Sequence, residues 1–322
     1  MSLASGVEAF KALRNRGHDV LVIDTSRGLL SKSEEQEFLA SRVQASPPSG
    51  LSISNRKNGA SVVRHAQEQS IAGVDVFFLA LHGGIGEDGS LQAAFDLTGV
   101  SYTGSGHMPS AYAMDKDISK RLFRESGIST PKWLMAPASE SDIEEYLGLP
   151  VIVKSNKQGS SVGIEIIYEI GDVQEAVKRA FEHDDEVMIE QYVSGRELTV
   201  GVLDGSALAV GEIETVEAEF FDYQSKYQKG GAVETFPADL TPEKTAEIQE
   251  LGLRAHNTLK LQHYSRTDFI MDTDGKVWCL EANTLPGMTP TSLMPQSAEA
   301  AGIPFDVLCE TICRLGIARN KG

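Results

Sequence analysis

Four polar residues near the C-terminus have the types and spacing of a site that binds a metal ion and a phosphate. Arg266 and Asp268 stand two residues apart just before the apolar run Phe269–Met271, and Glu281 and Asn283 stand two residues apart just after the run Val277–Leu280. The turn sequence at residues 273–275 predicts an antiparallel hairpin whose alternating side chains bring each pair to one face. Two carboxylates and an amide suit Mg²⁺ that is held partly by a nucleotide's phosphates. Residue types alone leave open an ordinary hairpin with solvated acids.

The segment after this hairpin predicts a loop that carries binding groups. Thr284–Pro290 contains two prolines and a glycine, which favour stiff, irregular backbone over helix or strand. Ser292 follows with the residue type of a helix N-cap. Loops held between regular elements commonly place functional groups, so we expect this one to face the site.

A second candidate loop lies in the middle of the chain. The apolar strand 151–154 ends on Lys154, and small polar residues fill the stretch up to Gly163 before the strand 164–167. Backbone N–H groups of such a loop can fold over phosphates, with the lysine as a point charge at its stem. The loop lacks the G-x-x-x-x-G-K-[ST] pattern and no helix follows it. A plain flexible hairpin is the alternative.

Composition limits the possible partners. The chain has 322 residues, 41% of them hydrophobic, a net charge of −17 and a pI near 4.8. That charge argues against nucleic acid or an anionic membrane as a partner, because binding to either requires a positively charged protein surface. We find neither an apolar run of spanning length nor a signal pattern, and we expect a cytoplasmic protein. Cys279, Cys309 and Cys313 lie in apolar segments and are expected to be free thiols of a reducing compartment.

Several motifs resemble one enzyme family. The run L-E-A-N-T-L-P-G-M-T-P-T-S-L-M-P at 280–295, with R-T-D-F at 266–269, resembles the C-terminal signature of the D-alanine–D-alanine ligases, which belong to the ATP-grasp superfamily. H-G-G-I-G-E-D-G at 82–89 is similar to another of their motifs. Its glycines also spell G-x-G-x-x-G, but Glu87 and Asp88 would place negative charge where a pyrophosphate must sit. We therefore reject a dinucleotide site.

The resemblance implies an α/β fold in which an ATP-grasp fold follows a parallel, Rossmann-like α/β domain. The expected units are 1–106, 107–200 and 201–322, the second with the phosphate loop and the third with an omega-type loop within 212–231. The implied reaction joins two D-alanines through D-alanyl phosphate for peptidoglycan precursor synthesis, and it uses ATP and Mg²⁺ or Mn²⁺ in a homodimer. A ligase for D-lactate or D-serine, and a catalytically impaired nucleotide-binding relative, stay open.

The resemblance also implies residue roles. Arg266 and the Gly287 N–H face the reacting oxyanion, Ser160 and Tyr227 orient substrate, and His82 lies near the D-alanine site. Ser292 and the Leu293 N–H bind the second substrate's carboxylate. The metal ligands are Asp268, Glu281 and Asn283. The residues implied for the nucleotide are Lys116, Lys154, Ser161, Glu190, Gln191, Val193, Glu197 and Lys226. The family usually has lysine where this chain has Gln191, which puts one adenine contact in question.

The N-terminus departs from the family pattern. A parallel α/β domain normally begins with a strand, but residues 5–8 have a capping-box pattern, and Val7, Phe10 and Leu13 then recur on one helical face. Strands are expected at 20–24 and 74–81. We expect the domain's first strand to be missing, together with the glutamate that holds the first D-alanine's ammonium in the family. D-alanine binding would then be weakened.

Overall fold

The computed structural model describes residues 2–25, 27–40, 73–158, 164–215 and 232–319. The predictions for Ser160, Ser161, Lys226 and Tyr227 lie outside the described residues.

Helix α1 (Ser2–Asn15) opens the described chain and buries the predicted face that includes Phe10 and Leu13. The capping-box prediction is wrong because the helix begins before Ser5. That serine lies inside the helix, fully buried, and its hydroxyl bonds to distant parts of the chain. Next come strands β1 (Ile23–Asp24) and β2 (Gly28–Leu29), which pair antiparallel, and helix α2 (Lys32–Ala40).

The predicted strand at 74–81 is reduced to a single parallel bridge between Phe77 and Tyr102. A strand needs a backbone-bonded neighbour along its length. Here the Phe77 N–H and carbonyl bond to the backbone of Ser101 and Thr103, whereas the Leu79 N–H donates to the Thr103 hydroxyl instead of a backbone carbonyl. The predicted strand at 20–24 is shortened to β1 in the same way. The helices that follow are α3 (Ser90–Thr98), α4 (His107–Met114) and α5 (Lys116–Glu125).

A four-stranded antiparallel sheet forms the middle of the chain. Its strands are β3 (Trp133–Met135), β4 (Val151–Ser155), β5 (Glu165–Ile167) and β6 (Val187–Gln191), in the order β3-β6-β4-β5. Helices α6 (Glu140–Tyr146) and α7 (Val173–Phe181) cover one face, where Val151 and Val153 are buried. Because side chains alternate, Ile152 and Lys154 point to the opposite face. The register places Glu190 directly beside Ile152.

A five-stranded antiparallel sheet forms the C-terminal part. Its strands are β7 (Gly195–Leu203), β8 (Ser206–Thr215), β9 (Ala232–Thr235), β10 (Tyr264–Asp272) and β11 (Val277–Asn283), in the order β11-β10-β7-β8-β9. Residue 200, where the sequence analysis divides two units, lies inside β7. The prediction of a loop from Glu212 is wrong for its first residues, because 212–215 complete β8 and pair with β9. The acid Glu212 is buried in this strand and forms an ion pair with Arg196, so the apolar alternation expected of a strand is not visible in the sequence there.

Three further helices complete the C-terminal part. Helix α8 (Pro242–Thr258) is capped by the Thr241 hydroxyl, and α9 (Leu293–Ala300) and α10 (Phe305–Ala318) follow the hairpin of β10 and β11. One apolar core joins residues of α1, α3, β10 and α10 to Leu285 and Met288. The loop after β11 is therefore anchored on the core.

The three cysteines are free, and Cys309 and Cys313 lie together on α10. Among the described residues, no helix combines the length and apolar character that crossing a membrane requires.

Candidate active site

Strands β10 and β11 pair as an antiparallel hairpin, as predicted. Arg266 lies opposite Asn283 and Asp268 lies opposite Glu281, and a bulge follows Asp268. The structure therefore places two cross-strand pairs side by side, and this confirms the predicted hairpin.

Asp268 is the most heavily hydrogen-bonded residue of the four. Arg266 donates from Nε to Oδ1 at 2.9 Å and from Nη2 to Oδ2 at 2.7 Å. Asn283 Nδ2 donates to Oδ2 at 3.1 Å, and the Thr199 hydroxyl from β7 reaches Oδ1 at 2.8 Å. Asp268 is only 7% exposed. All these partners are donors, and they use both oxygens of the carboxylate.

Glu281 has a cationic partner from another element. Lys116 Nζ lies 3.2 Å from Glu281 Oε2 and also donates to the Gln158 carbonyl at 2.9 Å. Lys116 is the first residue of α5, whose N-cap Asp115 accepts from the Ile118 N–H. This buried lysine therefore spans the gap between the hairpin and the stem of the predicted phosphate loop.

The donor set fits a hard divalent cation. Asp268, Glu281 and Asn283 lie together on one hairpin and offer only oxygen as metal ligands, while both acids already attract positive charge from Arg266 and Lys116. The described residues contain no cluster of three His, Cys, Asp or Glu that could hold a metal unaided. Further ligands would have to come from phosphate and water, as Mg²⁺ prefers. The metal assignment stays a prediction.

A cavity of about 210 Å³ lies between the two sheets. Ile152 forms one apolar wall from β4, and Ile270 and Leu280 form the other from β10 and β11. Two apolar walls with polar groups at the rim suit a flat aromatic base. Several residues predicted for the nucleotide line this space: Lys154, Glu190, Gln191, Val193 and Glu197.

The sequence analysis missed the apolar walls of this cavity. For Ile152 the signal was present in the alternation along the strand, since it is two residues from Lys154. Leu280 lies at the bulge that follows Asp268 in the pairing, and strict alternation would place it on the face opposite Glu281. What the sequence lacks is any sign that the two sheets face each other across this space.

Glu190 is clamped between two lysines. Lys120 Nζ lies 2.5 Å from Oε1 and Lys154 Nζ lies 2.6 Å from Oε2. Glu190 is 1% exposed and Lys120 is fully buried. Burial would raise the pKa of Glu190, but the two ammonium groups outweigh it and hold that pKa below its usual value. Burial lowers the pKa of Lys120 to about 8, against the opposing effect of Glu190. The sequence analysis did not single out Lys120.

His82 belongs to a chain of hydrogen bonds that holds the loop after β11. Its Nδ1 lies 2.7 Å from the Leu285 carbonyl oxygen, and its Nε2 lies 3.0 Å from the Ser5 hydroxyl. The Met288 N–H donates to the same hydroxyl at 3.0 Å. A carbonyl only accepts, so Nδ1 carries the proton and Ser5 donates to Nε2. Burial lowers the pKa of His82 to about 4, consistent with this neutral tautomer.

Gly287 lies inside this clamped segment. The chain of bonds holds Leu285 on one side of Gly287 and Met288 on the other, and all three residues are buried. Glu87 adds a bond from the Gly83 N–H at 2.9 Å and one from the Leu285 N–H at 3.4 Å. Glu87 therefore links the motif at 82–89 to the loop after β11.

Ser292 is the N-cap residue of α9, as predicted, but its side chain does not cap the helix. The hydroxyl instead accepts from the Thr289 N–H at 3.2 Å and lies 2.8 Å from the Thr289 hydroxyl. Leu293 begins the helix next to it and is also buried. The site thus has three connected parts: the hairpin with Lys116, the cavity with the lysine clamp, and the loop held by His82.

Two family models match the chain. A model described as the D-ala D-ala ligase N-terminus matches residues 1–105, and one described as the D-ala D-ala ligase C-terminus matches residues 122–314. A D-alanine–D-alanine ligase from Nitratidesulfovibrio vulgaris is 45% identical over 244 residues, which cover 76% of this chain and 80% of that protein.

Two solved structures are also similar. A D-alanine–D-alanine ligase from Bacillus anthracis, complexed with ATP, has a TM-score of 0.69 and 34% identity over 78% of this chain and 82% of that one. The VanG D-Ala:D-Ser ligase from Enterococcus faecalis has a TM-score of 0.78 and 29% identity, and it covers 98% of this chain and 94% of that one. These similarities confirm the predicted fold class.

Proposed function

The chain belongs to the D-alanine–D-alanine ligase family, and from that membership we propose how its residues join two molecules of D-alanine with ATP. One observation carries the assignment of the site. Arg266, Asp268 and Asn283 form one hydrogen-bonded group, and Glu281 lies opposite Asp268 and pairs with Lys116. The same hairpin contributes Ile270 and Leu280 to the wall of a cavity of about 210 Å³.

The chemistry requires activation of a carboxylate, which is a poor electrophile because its charge is delocalised. A carboxylate oxygen of the first D-alanine attacks the γ-phosphorus of ATP, the bond to ADP breaks, and D-alanyl phosphate forms. The amine of the second D-alanine then attacks the acyl carbon. The C–O bond to phosphate breaks, a proton leaves the nitrogen, and the products are the dipeptide, ADP and phosphate.

The first step brings anions together, so it needs positive charge. Lys116 and Lys154 extend from separate elements toward the space between hairpin and phosphate loop, and we assign both to the phosphates. Asp268, Glu281 and Asn283 would hold Mg²⁺, which when bound neutralises charge on the phosphates. The two lysines now contact Glu281 and Glu190, and the phosphates would compete with these carboxylates.

The second step develops negative charge on the acyl oxygen. Arg266 and the Gly287 N–H are assigned to that oxyanion, because fixed donors stabilise it without reorganising. Ser292 and the Leu293 N–H, at the start of α9, are assigned to the second substrate's carboxylate. Ser160 and Tyr227 are assigned to substrate orientation and Ser161 and Lys226 to the phosphates, all from the family resemblance.

We also propose a homodimer in the cytoplasm, without nucleic acid or membrane as partner. The free thiols and the net charge of −17 support this environment and these exclusions. The homodimer is supported by the family resemblance.

A second candidate is the ligation of D-alanine to D-serine. The structure similar over 98% of this chain is that of a D-Ala:D-Ser ligase. Tyr227, however, matches the tyrosine that accompanies D-alanine as second substrate in the family, and we therefore place D-alanine first.

A coupled assay of ADP release with D-alanine alone, and with D-alanine plus D-serine or D-lactate, tests the proposal. Mass spectrometry of the products identifies the bond formed. We expect the D-alanine dipeptide to dominate at neutral pH. A mixed product formed in preference to the dipeptide would favour the second candidate or a D-lactate ligase, and nucleotide binding without substrate-dependent ADP release would indicate an impaired relative.

A further inference from the structure

Lys120 lies behind the nucleotide cavity rather than in its wall. It extends from α5 to Glu190, which does line the cavity, and it is fully buried. Its other polar contact is a 2.6 Å bond to the Thr130 hydroxyl, and the Trp133 ring centroid lies 5.1 Å from Nζ. Lys120 therefore reaches a bound base only through Glu190.

The two lysines on Glu190 are not equivalent. Lys154 lines the cavity at the stem of the phosphate loop, where a nucleotide's phosphates would compete for its ammonium group. Once Lys154 turns to a phosphate, Glu190 keeps one cationic partner. Lys120 is too deeply buried to follow, and its neutral contacts to Thr130 and Trp133 hold it in place.

We propose that Lys120 is a positioning residue that keeps Glu190 ionised and oriented while ATP is bound, and that it thereby sets the preference for adenine over a 6-oxo purine. The inference rests on the proposed function in one respect, the assignment of the cavity to the base of ATP.

The selectivity follows from hydrogen-bond chemistry. An ionised carboxylate only accepts, so it pairs with the amino group of adenine and repels a carbonyl at the same position. A protonated carboxyl can donate to that carbonyl. The charged group that faces Glu190 from α5 is Lys120, and the one from β4 is Lys154; the nearby Cys279 thiol of β11 stays neutral because burial raises its pKa. Without Lys120, burial drives Glu190 toward the protonated form.

The test compares binding of ADP and IDP by calorimetry at pH 7.5 without D-alanine. One charge-assisted hydrogen bond is worth about ten- to a hundredfold in affinity, so the wild type should prefer ADP by at least about tenfold. Lys120→Met should lower the ratio of the ADP affinity to the IDP affinity by about tenfold, mainly because IDP binds more tightly. Lys120→Arg keeps the charge and should largely retain the ratio.

The ratio of ADP to IDP affinity distinguishes a positioning role of Lys120 from a merely structural one, because both affinities are measured on the same preparation. If Lys120→Met weakens both nucleotides equally, or if Lys120→Arg loses the ratio as completely, the proposal is wrong. Thr130→Val removes a neutral contact of the same lysine and should leave the ratio unchanged; a fall as large as that of Lys120→Met would also overturn it. Should the methionine variant not fold, Lys120→Gln, which keeps a donor without the charge, carries the same expectation.

The outcome is distinguishable from failure of the proposed function. Nucleotide discrimination is measured without D-alanine, so a chain that releases no ADP with D-alanine can still show the predicted change in ratio. Conversely, an active ligase whose ADP-to-IDP ratio is indifferent to Lys120 would disprove this inference alone.

Discussion

The Arg266 guanidinium binds both oxygens of Asp268, at 2.9 and 2.7 Å, from a position two residues earlier on the same strand. This forked pair forms within one strand because residues i and i+2 share a face. The pair joins the residue assigned to the oxyanion to a residue assigned to the metal. A cation that neutralises Asp268 weakens its hold on Arg266, which leaves the guanidinium available to the reacting oxygen.

The first prediction concerns a substitution that replaces the planar guanidinium of Arg266 by the single ammonium group of lysine. Arg266→Lys should lower kcat by about 10²–10³-fold, the cost of losing one fixed oxyanion donor, while KM for ATP changes little. Steady-state ADP release with saturating D-alanine measures both constants.

Arg179→Lys is the matched control for this substitution. Arg179 forms the same fork with Glu165, at 2.9 and 2.7 Å, on an exposed surface of α7 and β5. It should leave kcat unchanged. Equal losses in the two variants would show that the forked pair matters only for the fold.

The second prediction concerns the metal. Glu281→Gln keeps the shape of the side chain and removes its charge, so Mg²⁺ should bind more weakly and kcat should fall by at least about 100-fold, since a bound metal ion contributes several kcal/mol to charge stabilisation. Measuring ADP affinity at increasing MgCl₂ concentrations distinguishes the loss of Mg²⁺ binding from a displacement of Lys116. The variant should lose the Mg²⁺ dependence, whereas Glu247→Gln, an exposed acid paired with Lys244, should keep it. Wild-type turnover in Glu281→Gln would remove the metal assignment.

Two lysines on helix α5 show which site residues can be predicted from the sequence and which cannot. Lys116 was predicted because it matches a family motif, and the hairpin residues were predicted because period-two alternation fixes which side chains share a face. Lys120 lies in a charged helical stretch that is typical of a solvent-facing surface. Its burial depends on Glu190, 70 residues away, and no local pattern records that pairing.

The same limit explains the errors in the fold. Glu212 made a strand look like a loop, since a buried acid breaks the apolar alternation unless its partner Arg196 is known. Ser5 has the sequence of an N-cap but bonds to His82 and Met288 across the fold. In each case a polar residue is satisfied by a distant group, and local propensity cannot anticipate that.

The third prediction tests the clamp on the loop. Ser5→Ala leaves the buried Met288 N–H without its acceptor and Nε2 of His82 without its donor, which should cost about 1–3 kcal/mol of stability. A small displacement of the Gly287 N–H should lower kcat by about 10–100-fold. Nucleotide binding should be unaffected, because the cavity lies between other elements. Chemical denaturation and steady-state kinetics measure the two effects.

Ser110→Ala serves as its control, since Ser110 is a buried helical serine far in sequence from the loop. It should cost some stability without lowering kcat. If Ser5→Ala loses stability yet retains full kcat, the chain of bonds has no role in placing Gly287.

The last prediction follows from a buried histidine outside the assigned machinery. Burial lowers the pKa of His256 in the fold to about 4, whereas the unfolded chain has the ordinary value of 6.5. Between these values the unfolded state binds more protons, so the histidine's contribution to stability is complete above about 6.5 and is lost as pH falls toward 4. The free energy of unfolding should therefore drop with falling pH by at most about 1.4 kcal/mol per pH unit from this group.

Because other buried groups titrate in the same pH range, the quantity to follow is the difference in unfolding free energy between the wild type and a histidine variant. His256→Asn removes one titrating side chain, and the gap in unfolding free energy between wild type and variant should narrow as the pH falls from 6.5 to 4.5. Urea denaturation at several pH values follows this gap. His183→Asn, at an exposed position, provides the comparison. A His256→Asn gap that stays constant over this pH range would mean that burial does not keep His256 neutral, and that its bond to the Ser265 hydroxyl at 2.7 Å tolerates the charged ring.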